Sequence, residues 1–326
     1  MRHPIKALYD VSAPAKLNLF LHVTGRRADG MHLIQSVFML IDWCDTLHFE
    51  FRADGQVSRE DLGLALPEND LIVRAARALQ SAGDAVWGTG ISSRFGAHIG
   101  VQKRIPSEAG MGGGSSDAAS TLLALNRLWQ LDFPLSKLVA IGLGLGADVP
   151  FFLHGGNAWV EGVGEKMTPL TLPGAQFLVV KPPQGVSTAA IFQHSDLKRD
   201  TPNAIISGFA EDQFSFGAND LQGVAQGLCP GIGQALVWLD GLSLKGRMTG
   251  SGSAVFAQAT GNLASLVPFV DLAGMGTGSA TENGFPGGLA SGLLTGLSGG
   301  IPNGFQARLC KNLHTHPLAG WADFVA

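Results

Sequence analysis

Between Pro106 and Ala118 the chain reads Pro106-Ser107-Glu108-Ala109-Gly110-Met111-Gly112-Gly113-Gly114-Ser115-Ser116-Asp117-Ala118. The chemistry such a stretch suits is anion binding. Its glycines admit positive φ and put no Cβ between backbone and ligand, so successive N–H donors can converge on a phosphate. The residues that follow, 115–119 into 121–129, are capping residues and then good helix formers, which would aim the positive end of a helix at the loop. A tight turn where one element packs closely on another remains open on the loop alone. It is not a Walker loop, because no Lys-Ser or Lys-Thr follows the last glycine. It is a poor dinucleotide fingerprint as well, for want of an acidic residue ending a following strand.

Two further sets of polar residues stand where they could meet such a site. Along Lys16 to Val23, Leu17, Leu19, Leu21 and Val23 fall on one face of a strand and Lys16, Asn18 and His22 on the other. That polar face suits a cleft lining or a solvated edge equally. Asp148 lies between a glycine-terminated helical segment, 135–145, and the very apolar run Val149-Pro150-Phe151-Phe152-Leu153, where a carboxylate needs a partner. It reads either as a cap or as the partner of Lys16. A second glycine-serine loop, 247–253, runs into the strand-like Ala254-Val255-Phe256-Ala257, and a simple hairpin turn is its alternative.

The positioning elements alternate in period. Strand patterns cover 34–41, 46–51, 99–105, 155–161 and 176–181. A capped amphipathic helix begins at Leu71 after Asn69-Asp70, and helical patterns recur at 121–129 and 135–145. Lys103-Arg104 deliver the chain into the glycine loop, either to assist phosphate or as a solvated strand end. The pair His314 and His316 has no third ligand near it in sequence and reads as a surface turn.

Composition sets outer bounds. At 326 residues two domains are expected, with 45% hydrophobic and 15% charged residues describing a globular chain. A net charge of −4 offers no general attraction to nucleic acid or acidic membranes, so an anionic substrate must be held by local groups. Cys44, Cys229 and Cys310 suggest neither a disulfide framework nor a zinc site. With no signal-peptide pattern and no long apolar stretch, a soluble cytoplasmic protein is expected.

Taken together, the glycine loop, the segment Pro14-Ala15-Lys16-Leu17-Asn18-Leu19 and the segment Gly146-Ala147-Asp148-Val149-Pro150-Phe151-Phe152 resemble the GHMP kinase superfamily, and within it the family of 4-diphosphocytidyl-2-C-methyl-D-erythritol kinases. The similarity keeps the family's order through most of the chain. It implies an α+β fold in two domains, 1–162 like the second domain of ribosomal protein S5 and 163–326 ferredoxin-like, with a cleft between them. It implies ATP and Mg²⁺ as cofactors and phosphorylation of the 2-hydroxyl of a cytidine diphosphate-linked polyol. Lys16 and Asp148 would be catalytic and Asn18 would contact the acceptor. ATP would lie on Pro106, Glu108, Ala109, Gly110, Met111, Gly112, Gly113, Gly114, Ser115 and Ser116. Met31 stands where the family usually has Tyr, and with His32, Thr188 and Phe192 it would form the cytidine pocket; a Met thioether can cover a ring face. Residues 261–300, rich in Gly and Ser and nearly uncharged, depart from the family and read as a flexible, dispensable insertion. Another small-molecule kinase of the superfamily, acting on homoserine, mevalonate or a sugar, and a non-catalytic nucleotide-binding regulator are the alternatives.

Overall fold

The structure is a computed structural model and describes residues 5–88, 90, 92–260 and 301–323. The glycine-rich stretch at 261–300 lies outside the described residues. Two long antiparallel strands, β1 (Ala7–Arg26) and β2 (His32–Arg52), found the first sheet. β2 takes in both strand patterns expected at 34–41 and 46–51. It passes the break between them because Pro14 pairs with Cys44 but Ala15 with Ile41, so that Asp42 and Trp43 bulge out and the ladder resumes. β3 (Val57–Asp61) runs parallel to β4 (Gly96–Gln102), joined by the crossover helix α1 (Leu71–Trp87), which Asp70 caps by accepting from the Val73 amide. β5 (Ala158–Glu161) and β6 (Lys166–Pro169) complete a six-stranded sheet in the order β3-β4-β2-β5-β6, with β1 on β2. The second sheet is β7 (Gln176–Lys181), β8 (Arg247–Met248), β9 (Val255–Gln258) and β10 (Gln306–Lys311), in the order β10-β7-β9-β8. The chain passes from one sheet to the other between Pro169 and Gln176.

Period-two alternation sorts these strands into layers. On β2, Phe38 and Leu40 face the helices α1 and α2 (Gly113–Leu128), packing with Ile72, Ala76, Ala118, Leu122 and Leu125. Val37, Met39 and Ile41 face the other way, with Leu17 and Leu19 of β1, onto Phe177 and Val179 of β7 and Phe256 of β9. The reverse side of the second sheet, Leu178, Val180, Val255 and Ala257, meets Val224 and Ala225 of α7 (Gln222–Leu228) and Ile232, Ala235 and Leu239 of α8 (Pro230–Gly241). The two halves are therefore joined by a continuous apolar sheet-on-sheet layer. Mixed strands and helices in these layers are the expected α+β class. Three shorter helices complete the scaffold around the site: α3 (Leu135–Leu143), α4 (Val149–His154) and α5 (Thr188–Gln193), while α6 (Ile206–Glu211) packs Phe209 into the inter-sheet core. No helix among the described residues is long and apolar enough to cross a membrane.

The tail from Asn312 folds back on the first half: the His316 amide donates to Gly155 O at 2.8 Å. The surface turn expected at His314 and His316 is corrected for His316, which is 2% exposed. Burial brings its imidazole down to about 4, and Nδ1 accepts from the Leu318 amide at 3.1 Å.

Candidate active site

Three segments meet at β1. The Lys16 amide donates to Met111 O at 2.9 Å, tying the strand to the first glycine loop, and the Asn18 amide donates to Thr249 Oγ1 at 2.9 Å, tying it to the second. The loops also bond each other, Ser253 N to Glu108 O at 2.9 Å and Ala254 N to Ala109 O at 3.2 Å. The second loop is thus part of the site's framework and not a simple hairpin turn. Only glycine permits this closeness at position 110: with φ at +71°, an added Cβ would stand 2.3 Å from Thr249 O.

Helix α2 starts at Gly113, eight residues ahead of its helix-forming run. Gly112, at φ +71°, turns the chain into it, and no side chain caps the first turn. Its leading N–H groups are left for an acceptor in the cleft, with the positive end of the helix behind them. A cluster at the loop's flank holds the helix in that attitude. Lys103 binds Asp45 and, at 2.5 Å, Asp117, while Asp45 Oδ1 accepts from the amides of Arg104 and Ile105 at 2.5 and 2.8 Å. Those last two bonds end β4 at Gln102 instead of the expected 105. The Lys103 side chain is 9% exposed, so a solvated strand end is corrected for this residue. Burial pushes the Asp117 carboxyl above its usual range, against the pull of Lys103.

At the floor of the cleft Lys16 is 4% exposed. Its ammonium hydrogen-bonds Asn18 Oδ1, stands 3.6 Å from Asp148 Oδ2 and lies 4.8 Å above the Phe38 ring. Burial lowers its pKa, and Asp148 opposes that lowering. Asp148 occupies the position before α4 without making a side-chain cap, which decides between cap and ion pair in favour of the pair. Asn18 is oriented in turn by Ser36, whose Oγ accepts from Asn18 Nδ2 at 2.9 Å and donates to Phe20 O at 2.5 Å.

The far wall comes from the second half. Ser187 caps α5, accepting from the Ala190 amide, and the helix presents Thr188 and Phe192. Thr188 and Ser251 share a hydrogen bond of 2.6 Å, and the Phe192 ring lies 4.9 Å from His32, tilted by 34°. Met31, 51% exposed, stands beside His32 at the start of β2.

These walls enclose one continuous cleft of about 1210 Å³. Lys16, Asn18, Met31, His32, Pro106, Glu108 to Ser115, Asp148, Thr188 and Phe192 all line it. Ser116 does not: it is fully buried and its Oγ has no hydrogen-bond partner. Sequence reasoning missed Thr249 and Ser251 as individual contributors, the role of Lys103 with Asp45 and Asp117, and Arg199. Lys103, flanked by Gln102 and Arg104, carried no local signal of its carboxylate partners, and neither did Arg199 of His32.

The family model described as GHMP kinases N terminal domain matches residues 70–156. Over 318 residues, covering 98% of this chain and 96% of the relative, the sequence is 59% identical to 4-diphosphocytidyl-2-C-methyl-D-erythritol kinase of Albidiferax ferrireducens. It is 55% identical over 333 residues, 98% and 100% of the two chains, to the protein of that name from Variovorax paradoxus. The chain belongs to the 4-diphosphocytidyl-2-C-methyl-D-erythritol kinase family. A crystal structure of 4-(cytidine 5'-diphospho)-2C-methyl-D-erythritol kinase superposes with a TM-score of 0.68 at 30% identity, over 92% of this chain and 98% of that one. A mevalonate kinase crystal structure, TM-score 0.59 at 14% identity over 94% and 99%, shares the fold. This family member is a kinase that uses ATP.

Proposed function

We propose that the enzyme transfers the γ-phosphoryl group of ATP to the 2-hydroxyl of 4-diphosphocytidyl-2-C-methyl-D-erythritol, a step of non-mevalonate isoprenoid precursor synthesis, with residues 1–162 and 163–326 as its two domains. The observation that carries this reading is the buried Lys16 paired at 3.6 Å with Asp148, within one cleft that has an uncapped helix N-terminus on one side and the Met31, His32, Thr188 and Phe192 wall on the other.

Phosphoryl transfer asks a protein for alignment and for positive charge on the moving group, with little covalent chemistry. The leading amides of α2, with Ser115, hold the ATP phosphates. Asp148 accepts the proton of the acceptor hydroxyl as its oxygen attacks γ-phosphorus and the bond to the ADP oxygen breaks. Lys16, too buried to swing away, pairs with Asp148 and offsets charge on the equatorial oxygens. Asn18, held by Ser36, accepts from Lys16 and positions it against the acceptor. Among the described residues no three acidic, imidazole or thiol side chains gather as a metal cage. Mg²⁺ would be held beside Ser115 and Asp148, both on the cleft wall, and would neutralise phosphate charge there. The cytidine end lies between Met31 and Phe192, with His32 and Thr188 at its polar edge.

The test is ATP consumption with 4-diphosphocytidyl-2-C-methyl-D-erythritol, homoserine, mevalonate and galactose offered separately at equal concentration. Turnover confined to the cytidylyl substrate is expected. Preference for another acceptor would overturn the substrate while keeping the mechanism, and ATP binding without turnover of any would favour a regulator.

A further inference from the structure

Arg199 is placed where no ligand contact is required of it, yet it spends its whole guanidinium on the cytidine wall. Nη2 donates to Phe192 O at 3.0 Å and His194 O at 2.7 Å, and Nη1 donates to Leu197 O at 2.9 Å. Those bonds fasten the end of α5. The remaining donor, Nε–H, points to His32 Nε2 at 3.1 Å. An arginine N–H can only donate, so Nε2 must accept. Nε2 then carries a lone pair and the imidazole proton sits on Nδ1. Nδ1 has no hydrogen-bond partner among the described residues, and His32 lines the cleft.

Resting on the cytidylyl reading above, we propose that Arg199 is a positioning residue that selects cytosine over uracil by locking His32 as a neutral imidazole whose Nδ1–H faces the base. The ring nitrogen N3 of cytosine is an acceptor and meets that donor. In uracil the same position is an N–H, so two donors would oppose each other and lose the hydrogen bond that cytosine makes. A site built to hydrogen-bond one base discriminates against the analogue that cannot make that bond. The neutral state has three supports. Burial, Arg199 and Arg26, the β1 residue paired with His32 across the ladder, all lower its pKa.

The deciding measurement needs neither substrate nor variant turnover. Nitrogen-15 NMR of the full chain labelled at histidine, with His32 assigned by the missing signal of His32→Asn, is expected to show a protonated Nδ1 and a bare Nε2 at neutral pH. A proton on Nε2 would overturn the proposal whatever the substrate. In Arg199→Met the proton is expected to move to Nε2, the form free histidine prefers. The KM for the cytidylyl substrate should rise about 10-fold or more with KM for ATP unchanged, and the preference over the uridylyl analogue, about 10- to 100-fold in the native enzyme, should fall to within a few-fold. Acidification should then restore cytidylyl KM in Arg199→Met, because imidazolium donates from both nitrogens. A merely structural Arg199 would give no such rescue. Arg199→Ala, which also removes the donor to Nε2, serves if the Met variant does not fold. An unchanged cytidine-to-uridine ratio in either variant would overturn the selection. If the enzyme turned over neither pyrimidine substrate, the cytidylyl reading would fail, while the tautomer would still be decided by NMR.

Discussion

Replacing Asp148 by Asn changes one oxygen for an amide and removes one charge, and the structure says what that charge does. Lys16 is buried, and its charged form is opposed by desolvation and supported by Asp148 at 3.6 Å. At an effective dielectric of about 20, Coulomb attraction at that distance comes to roughly 4 to 5 kcal/mol. Asp148 keeps 31% of its side chain in solvent, which screens the pair, and we take about half, near 2 kcal/mol, as the share the fold feels. The variant should therefore unfold a few degrees below the native enzyme, at roughly 2 °C or somewhat more per kcal/mol for a chain of this size. Its kcat for the cytidylyl substrate should drop by about 10² to 10⁴ through loss of the base and of Lys16's charge. KM for ATP should stay within about threefold, because the α2 amides are untouched. Steady-state kinetics with both substrates varied, beside a thermal melt, measure all three. A kcat within tenfold of native would refute the assignment of Asp148 as proton acceptor. A large rise in KM for ATP would place its role on the nucleotide instead.

Other expectations follow from the same geometry. Lys103→Met would leave the buried carboxylates of Asp45 and Asp117 facing each other without a cation, at a cost of about 3 to 5 kcal/mol in urea unfolding; a loss under about 1 kcal/mol would show that the triad does not brace α2. Gly110→Ala would press a methyl against Thr249 O and Gly252 N at a positive φ, so we expect the two loops to part and KM for ATP to rise. A folded Ala variant with native KM would dispose of the close-approach argument. His316 takes no proton in the folded state until about pH 4, whereas the unfolded imidazole takes one from about 6.5. The unfolded state thus binds more protons in that window, and stability, full above it, falls as pH drops. The loss reaches about 2 kcal/mol at pH 5. Urea midpoints at pH 7 and pH 5 should converge in His316→Gln relative to native; equal pH dependence in both would refute the role of burial.

The sequence by itself determined the local elements and the chemistry they could carry. Alternation over Lys16 to Leu19 sets Lys16 and Asn18 on one face because side chains in a strand alternate, but the irregularity between Asn18 and Leu21 breaks the pattern, so Leu21 lines the cleft and His22, expected beside Lys16, packs on Phe20 and Phe216. The glycines at 110 and 112–114 announce a loop able to take an anion, because glycine adopts the positive φ found at 110 and 112 at little cost and leaves amides bare. The order of segments announced the family, and the fold and cleft it implied are the ones observed. What only the tertiary structure decided were pairings across long separations. Asp148 could be a cap or a partner until α4 placed it beside Lys16, 132 positions earlier in the numbering. Lys103 looked solvated because nothing local reveals that Asp45 and Asp117 converge on it. His316 read as surface because its burial depends on the tail returning to Gly155. Arg199 carried no local signal at all, since its meaning lies in one donor reaching His32 from 167 residues away. Periodicity and backbone demands are encoded in neighbouring residues, whereas the charge state and proton position of a buried group depend on whatever the fold brings against it.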